Sequence, residues 1–257
     1  MYKQKFDLTG SRALVTGGGR GIGLACAQAL AEHGADIVLA DIDKAALAEG
    51  RAALAANGVA AQAHRLDITK SADVERLAAE LNAQAPIDIL IANAGIAMPD
   101  KPAEETPDED WLRMMDVNLN GMFWCCRAFG RPMLARAKGA IVTIGSMSGV
   151  IANKPQRQTH YNTSKAAVHH LTRSLAAEWA TRGVRINSIA PTYIETAMTK
   201  SVAQQDKAML QTWMEFTPMG RMGRPDEIAA IALFLAAPAS SVMTGAIVMA
   251  DAGYTTW

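Results

Sequence analysis

An α/β chain built on a doubly wound parallel sheet is predicted by three observations. An N-terminal strand breaks into a glycine-rich turn and resumes as a helix, strand and helix alternate thereafter, and polar residues stand at the carboxyl ends of successive strands. The 257 residues, 50% of them hydrophobic, can bury a substantial core, and residues 1–257 read as a single domain. With 25 basic and 25 acidic side chains the chain carries no electrostatic footprint for nucleic acid. Its first residues hold no apolar leader, and apolar runs such as 228–237 are too short to cross a bilayer, so a soluble cytoplasmic protein is expected. Cys26, Cys125 and Cys126 lack the spacing of a disulfide framework or a thiolate zinc site and read as small core residues. Neighbouring His169 and His170 diverge by about 100° on a helix and cannot chelate one metal together.

The first strand, 12–16, stops in Gly17-Gly18-Gly19-Arg20-Gly21-Ile22-Gly23 and continues as a helix through Leu30. Glycines there permit positive φ and close backbone approach, while the free amides and positive end of the new helix suit a pyrophosphate. The spacing is G-x-x-x-G-x-G, and no Lys-Ser/Thr follows as a P-loop would need. A second strand, 36–40, ends at Asp41, where a carboxylate can bind the ribose hydroxyls of NAD and repel the 2′-phosphate of NADP. Arg20 pulls the other way. Asp41 or Asp43 could cap the helix that runs to Asn57, Asp41 being better placed for ribose. Strand 60–66 leads to Asp67 and Ile68, a helix covers 71–84, and strand 87–92 ends in Asn93-Ala94-Gly95. These marks share one edge of a parallel sheet, where ligands of such sheets bind.

Residues 99–109 read as a loop before a helix starting near Asp110, and 116–121 interrupt the helical pattern ahead of a helix over 123–137. Strand 140–145 leads into Ser146-Met147-Ser148-Gly149, then a loop to Thr159 and a helix whose predicted buried face is Ala167, Leu171, Leu175 and Trp179. Near its start stand Tyr161 and Lys165, four residues apart on one face. A free tyrosine is only roughly a thousandth phenolate at neutral pH, and a nearby cation lowers its pKa toward use as a general base. Such a pair is common by chance and draws its weight from what precedes it. Strand 185–190 runs into Pro191-Thr192-Tyr193-Ile194-Glu195-Thr196, and a helix over 226–236 and a strand over 246–250 close the pattern.

In combination and order, Thr16-Gly17-x-x-x-Gly21-x-Gly23, Asn93-Ala94-Gly95, Asn118, a serine after the fifth strand and Tyr161-x-x-x-Lys165 resemble the short-chain dehydrogenase/reductase family over nearly the whole chain. The resemblance implies a Rossmann-like sheet of about seven strands in a single NAD-binding domain, a substrate lid near 192–219, and a homotetramer. It implies Tyr161 as acid/base, Lys165 as the group that lowers its pKa and holds the nicotinamide ribose, and Asn118 as anchor of a proton-relay water. Cofactor contacts would come from Gly17, Arg20, Gly21, Ile22, Gly23, Asp41, Asp67, Ile68, Asn93, Gly95, Pro191, Ile194 and Thr196, with Tyr161 and Lys165. Thr192 stands where the family usually has glycine. Ser148 lies the family's usual thirteen residues before Tyr161 and Ser146 fifteen; counted from the strand end Ser146 holds the catalytic place, with Ser148 a substrate contact.

Gly145-Ser146-Met147-Ser148-Gly149, Thr217-Pro218-Met219-Gly220-Arg221 and the Tyr-Thr-x-Trp ending look most like bacterial polyol dehydrogenases of the galactitol type. The implied reaction interconverts a secondary alcohol and a ketone, a sugar alcohol and a ketose. Asn153, Gln158, His160 and Glu195 are available as partners for substrate hydroxyls. The rivals are an NADPH-dependent 3-oxoacyl thioester reductase and a catalytically silent dinucleotide-binding protein. Tyr254 and Trp257 are costly to leave in water, so burial of the tail at a two-fold subunit contact is expected. A divalent cation at the terminal carboxylate is compatible with the sequence but not required by it; no metal ligand set is assigned.

Overall fold

Strands covered on both faces need apolar residues in unbroken runs rather than in alternation. The computed structural model, which describes residues 1–197, 199 and 206–257, places such runs at the centre of one sheet. Every residue of β1 (Arg12–Thr16) and β4 (Ile89–Ala92) is buried, and these two strands lie side by side. Outward from them run β2 (Asp36–Asp41) and β3 (Ala61–Arg65) on one flank, and β5 (Gly139–Ile144), β6 (Val184–Pro191) and β7 (Ile247–Ala250) on the other. The seven strands are all parallel, in the order β3-β2-β1-β4-β5-β6-β7. The order reverses between β1 and β4, which opens a crevice at the carboxyl ends of those strands.

Helices α1 (Gly21–Glu32), α2 (Lys44–Ala56) and α8 (Pro225–Ala236) carry Leu30, Leu54 and Leu233 into a core on one face of the sheet. On the opposite face α3 (Ser71–Gln84), α5 (Met122–Ala135) and α6 (Thr159–Trp179) carry Leu81, Phe129 and Trp179 into a second. Among the described residues the remaining α-helices are α4 (Asp108–Met115) and α7 (Lys207–Glu215), the latter within the predicted lid. Residues 198 and 200–205 of that lid lie outside the described residues.

Several expectations change in detail. Helix α4 begins at Asp108, since Pro107 fits just ahead of a first turn and Asp108, Glu109 and Asp110 complement its dipole. The interruption at 116–121 is a wider π-helical turn, Asp116–Gly121, which joins α4 to α5 without a break. The buried stripe of α6 is broader than the apolar pattern suggests and includes Ser164, Lys165, Val168, His169 and Thr172, with Ala167 and Leu171 at its border. The tail divides: Tyr254 is buried within its own subunit against Tyr193 and Phe216, while Trp257 is 76% exposed. Cys26, Cys125 and Cys126 are free and buried, and burial pushes the Cys26 and Cys126 thiols up to about 12.

The amino-terminal edge of the sheet is held by charged groups closed on themselves. Arg12 donates to the carbonyls of Leu81 and Ala85 and to the side chains of Gln62 and Gln84. Asp88 accepts from Arg136 and from the Arg12 amide, and with Lys138 at 3.2 Å its carboxyl lies below the usual range despite burial. Arg185 reaches the Ala236, Ala237 and Ser240 carbonyls past the end of α8.

Candidate active site

At the crevice the turn after β1 is shaped by contacts that exclude side chains. Gly17 has φ of +61°, and a Cβ added there would come within 2.8 Å of Asn93 Nδ2; one added at Gly23 would lie 2.2 Å from the Gly17 carbonyl oxygen. Asn93 donates from Nδ2 to the carbonyls of Thr16 and Gly17, and the Thr16 hydroxyl accepts from the amides of Asn93 and Ala94. Asn93 thus ties the end of β4 to the turn. Arg20, Gly21, Ile22 and Gly23 open α1, and Thr196 arches back so that its Cγ2 would lie 3.4 Å from a Cβ on Gly21.

Asp41 ends β2, where its carboxylate accepts from the Gly19 amide at 3.2 Å and from the Asp43 amide at 3.1 Å. Of the two acids left open by the sequence, Asp43 is the cap of α2, accepting from the amides of Ala45 and Ala46, and it pairs with Arg20 at 3.5 Å. Asp67 after β3 folds onto Thr69, and buried Ile68 packs beneath Gly121. The cradle after β1, open to backbone approach and bordered by Asp41, fits a dinucleotide.

Farther along the edge, α6 brings Tyr161 and Lys165 beneath the end of β5. Lys165 is 5% exposed, its Nζ donates to the Ile144 carbonyl at 2.9 Å, and it stands 5.7 Å from the centre of the Tyr161 ring. Burial lowers its pKa to about 8. Burial raises the Tyr161 phenol, and hydrogen bonding with Ser146 acts against that rise. In the protein alone desolvation therefore dominates and the phenol lies above its ordinary value, rather than below it as the nearby ammonium of Lys165 led one to expect. Ser146 Oγ also donates to Ser148 Oγ at 3.0 Å and accepts from the Ser148 amide. Of the two serines, Ser146 is the one that acts on the ionisation of the phenol.

Asn118 sits in the π-helical turn, fully buried. Its Oδ1 accepts from the Ile96 amide at 2.8 Å, and its Nδ2 donates to the Ile96 carbonyl and to Ser164 Oγ. A Cβ on Gly95 would lie 3.1 Å from Asn118 Oδ1 and 3.7 Å from Lys165 Nζ, so Gly95, Asn118 and Lys165 form one floor.

The loops after β5 and β6 supply the other wall. Asn153 is buried with Nδ2 on the Tyr193 hydroxyl, and among the described residues its Oδ1 and the buried Thr192 Oγ1 have no partner. Thr192 is not in the left-handed region, so a side chain is accommodated in place of glycine. Pro191 ends β6, and Ile194 is buried and bridged to Gly223. The Tyr193 ring stacks on Trp213 of α7 at 4.0 Å and meets Tyr254 edge-on, which seats the described part of the lid. Gln158 is occupied by Asn162, while His160 lines a cavity of about 300 Å³ with Met98, Lys101, Asp110 and Arg113. Asp251, in the tail, spends its carboxylate on Gly253 and Thr255, and among the described residues no three His, Cys, Asp or Glu side chains gather as metal ligands. His169, set aside in the sequence because His170 adjoins it, lies buried under Ser146; its position four residues past Lys165 was the available signal.

The family profile described as Enoyl-(Acyl carrier protein) reductase matches residues 17–255. A galactitol 2-dehydrogenase of Rhizobium johnstonii is 55% identical over 100% of this chain and 99% of its own. A galactitol 2-dehydrogenase (L-tagatose-forming) of Cereibacter sphaeroides is 50% identical over 100% and 99%. The crystal structure of a gluconate 5-dehydrogenase from Burkholderia cenocepacia, in complex with NADP and tartrate, superposes with a TM-score of 0.93 at 36% identity, covering 100% of both chains. No helix among the described residues is long and apolar enough to cross a membrane. The glycine cradle, the Ser146, Tyr161 and Lys165 cluster and this full-length likeness converge: the chain belongs to the short-chain dehydrogenase/reductase family and is an oxidoreductase that uses a nicotinamide cofactor on CH–OH groups.

Proposed function

We propose that this enzyme is an NAD-dependent sugar-alcohol dehydrogenase that interconverts a polyol such as galactitol with its ketose. The observation that carries the reading is the joining of Ser146, Tyr161 and Lys165 at the end of β5, in a chain so similar to galactitol 2-dehydrogenases. When bound, the nicotinamide supplies the hydride chemistry. The glycine turn, Asp41, Asp67, Ile68, Asn93, Gly95 and the segment from Pro191 through Ile194 to Thr196 would hold it.

The protein's own part is the proton. Tyr161, as phenolate, takes the proton of the substrate hydroxyl during oxidation and as phenol returns it during reduction. Ser146 orients the substrate oxygen, and Lys165, protonated below about pH 8, supplies the positive charge that phenolate needs in a desolvated place. Asn118 holds Ile96 and Gly95 beside Lys165, which positions a proton path from that ammonium. Asn153 Oδ1 and Thr192 Oγ1, without partners among the described residues, and Ser148 suit a substrate rich in hydroxyls, since a buried acceptor left unmatched is costly.

Asp41 favours NAD; Arg20, engaged with Asp43, is drawn away from a 2′-phosphate. In the same reading residues 1–257 act as one domain with a lid near 192–219, in a cytoplasmic homotetramer. The test is NADH formation with galactitol and a panel of polyols and secondary alcohols at mildly alkaline pH, with NADP in parallel and sedimentation for assembly. Turnover of a β-keto thioester with NADPH and of no polyol would overturn the reading.

A further inference from the structure

The turn that carries the active-site serine is wrapped around one imidazole. His169 is 3% exposed and lies on the same face of α6 as Tyr161 and Lys165, one further four-residue step along it. Its Nε2 accepts a long hydrogen bond, 3.5 Å, from the Ser146 amide, and the ring hydrogen-bonds to the Gly149 backbone. Both glycines that bound the turn are shaped to the ring. A Cβ at Gly145 would come within 2.3 Å of His169 Nε2, and one at Gly149 within 2.7 Å of Cε1. Such distances lie far inside van der Waals contact, so a side chain at either position would displace the ring or the turn.

We propose that His169 is a positioning residue, which acts through the backbone of Ser146 to set the serine hydroxyl against the Tyr161 phenol. An imidazole suits the task in its neutral form: one ring nitrogen accepts from the Ser146 amide while the other donates to a carbonyl. Burial, helped by the charges of Lys165 and Arg173, keeps the ring neutral, with a pKa of about 4. The backbone groups of buried Ser146 and half-buried Gly149 are thereby satisfied on a rigid surface, and the serine takes its geometry from the helix that also carries the acid/base. A leucine of similar bulk would fill the space and satisfy neither group. The proposal rests on Ser146 as the partner of Tyr161, and it holds for whatever alcohol the enzyme oxidises.

The test uses His169→Leu, His169→Gln, Ser146→Ala and the double variant of His169→Leu with Ser146→Ala. Its first readout needs no substrate: the phenolate absorbance of Tyr161, obtained by subtracting the titration of Tyr161→Phe. His169→Leu is expected to move that titration upward by about one pH unit, as Ser146→Ala does, because the hydrogen bond that lowers the phenol is lost. The second readout is kcat against pH with galactitol or the best alcohol of the panel. It is expected to fall roughly tenfold near neutrality with the profile shifted upward, KM for the nicotinamide cofactor unchanged, and the effects of the two substitutions not adding. His169→Gln, which can accept and donate, restores most of the loss. An unchanged Tyr161 titration in a folded His169→Leu, or additive effects with Ser146→Ala, would overturn the proposal. Should His169→Leu fail to fold, His169→Gln in the presence and absence of Ser146→Ala supplies the same comparison. A wild type inactive on every polyol would defeat the substrate assignment and leave the phenolate titration to decide the role of His169.

Discussion

The two edges of the sheet bury the same kinds of group and finish them in opposite ways. At the amino-terminal edge the Arg12 guanidinium is spread over four acceptors, and Asp88 has Arg136 and Lys138 beside it. At the carboxyl edge Lys165 is equally buried and, among the described residues, has a single protein acceptor at Ile144 while Asn153 and Thr192 keep unpartnered oxygens. Completed networks stabilise; incomplete ones hold groups ready for a ligand at a cost in stability. The contrast separates fold from function residue by residue.

The sharpest way to break it is at Tyr161. Tyr161→Phe should lower turnover by roughly 10³-fold or more, about 4 kcal/mol in the barrier, with melting unchanged by calorimetry and only a small loss of cofactor affinity by fluorescence titration. At the opposite edge Arg12→Ala should cost about 3 kcal/mol in denaturant unfolding while kcat of the folded enzyme stays put, because the Leu81 and Ala85 carbonyls lose their buried donor. A third effect is pH-dependent. The pKa of His169 is lowered from 6.5 to about 4 on folding, so between those values the unfolded chain binds the extra proton. Its contribution is fully present above pH 6.5 and is lost as pH falls toward 4, at most about 3 kcal/mol in all, and the loss should vanish from the pH–stability curve of His169→Gln. The smallest change in stability has the opposite sign. Lys165→Met should abolish turnover yet raise stability by about 2 kcal/mol, since it removes a desolvated ammonium at the cost of one hydrogen bond.

The sheet was legible because each strand is an apolar run bounded by glycine or an acid, and the glycine turn, Asp41, Asn93, Tyr161 and Lys165 are spaced by local geometry that a linear pattern records. Other features depend on contacts across the chain. Whether Ser146 or Ser148 meets the phenol depends on the path of a loop whose length does not reveal its shape. Asp43 rather than Asp41 caps α2 because of where β2 ends. The buried face of α6 escaped a hydrophobic pattern because its central members, Ser164, Lys165, His169 and Thr172, are polar and satisfied from other elements. Tyr254 looked like an interface residue because nothing local shows that Tyr193 and Phe216 are there to cover it.

If the enzyme uses NAD as proposed, the acids after β2 have a consequence for any redesign toward the phosphorylated cofactor. Asp41 fastens the Gly19 amide, and Asp43 both caps α2 and restrains Arg20, while Gly50 of α2 packs so closely on Gly19 that a Cβ there would lie 2.7 Å from its carbonyl oxygen. Exchanging either acid for a neutral or basic residue therefore loosens the seating of a whole helix against the phosphate turn, by about 1 kcal/mol for a lost cap. A lineage that changes coenzyme along this route must first acquire compensating stability elsewhere, or replace Asp41 alone with a residue that still accepts from Gly19.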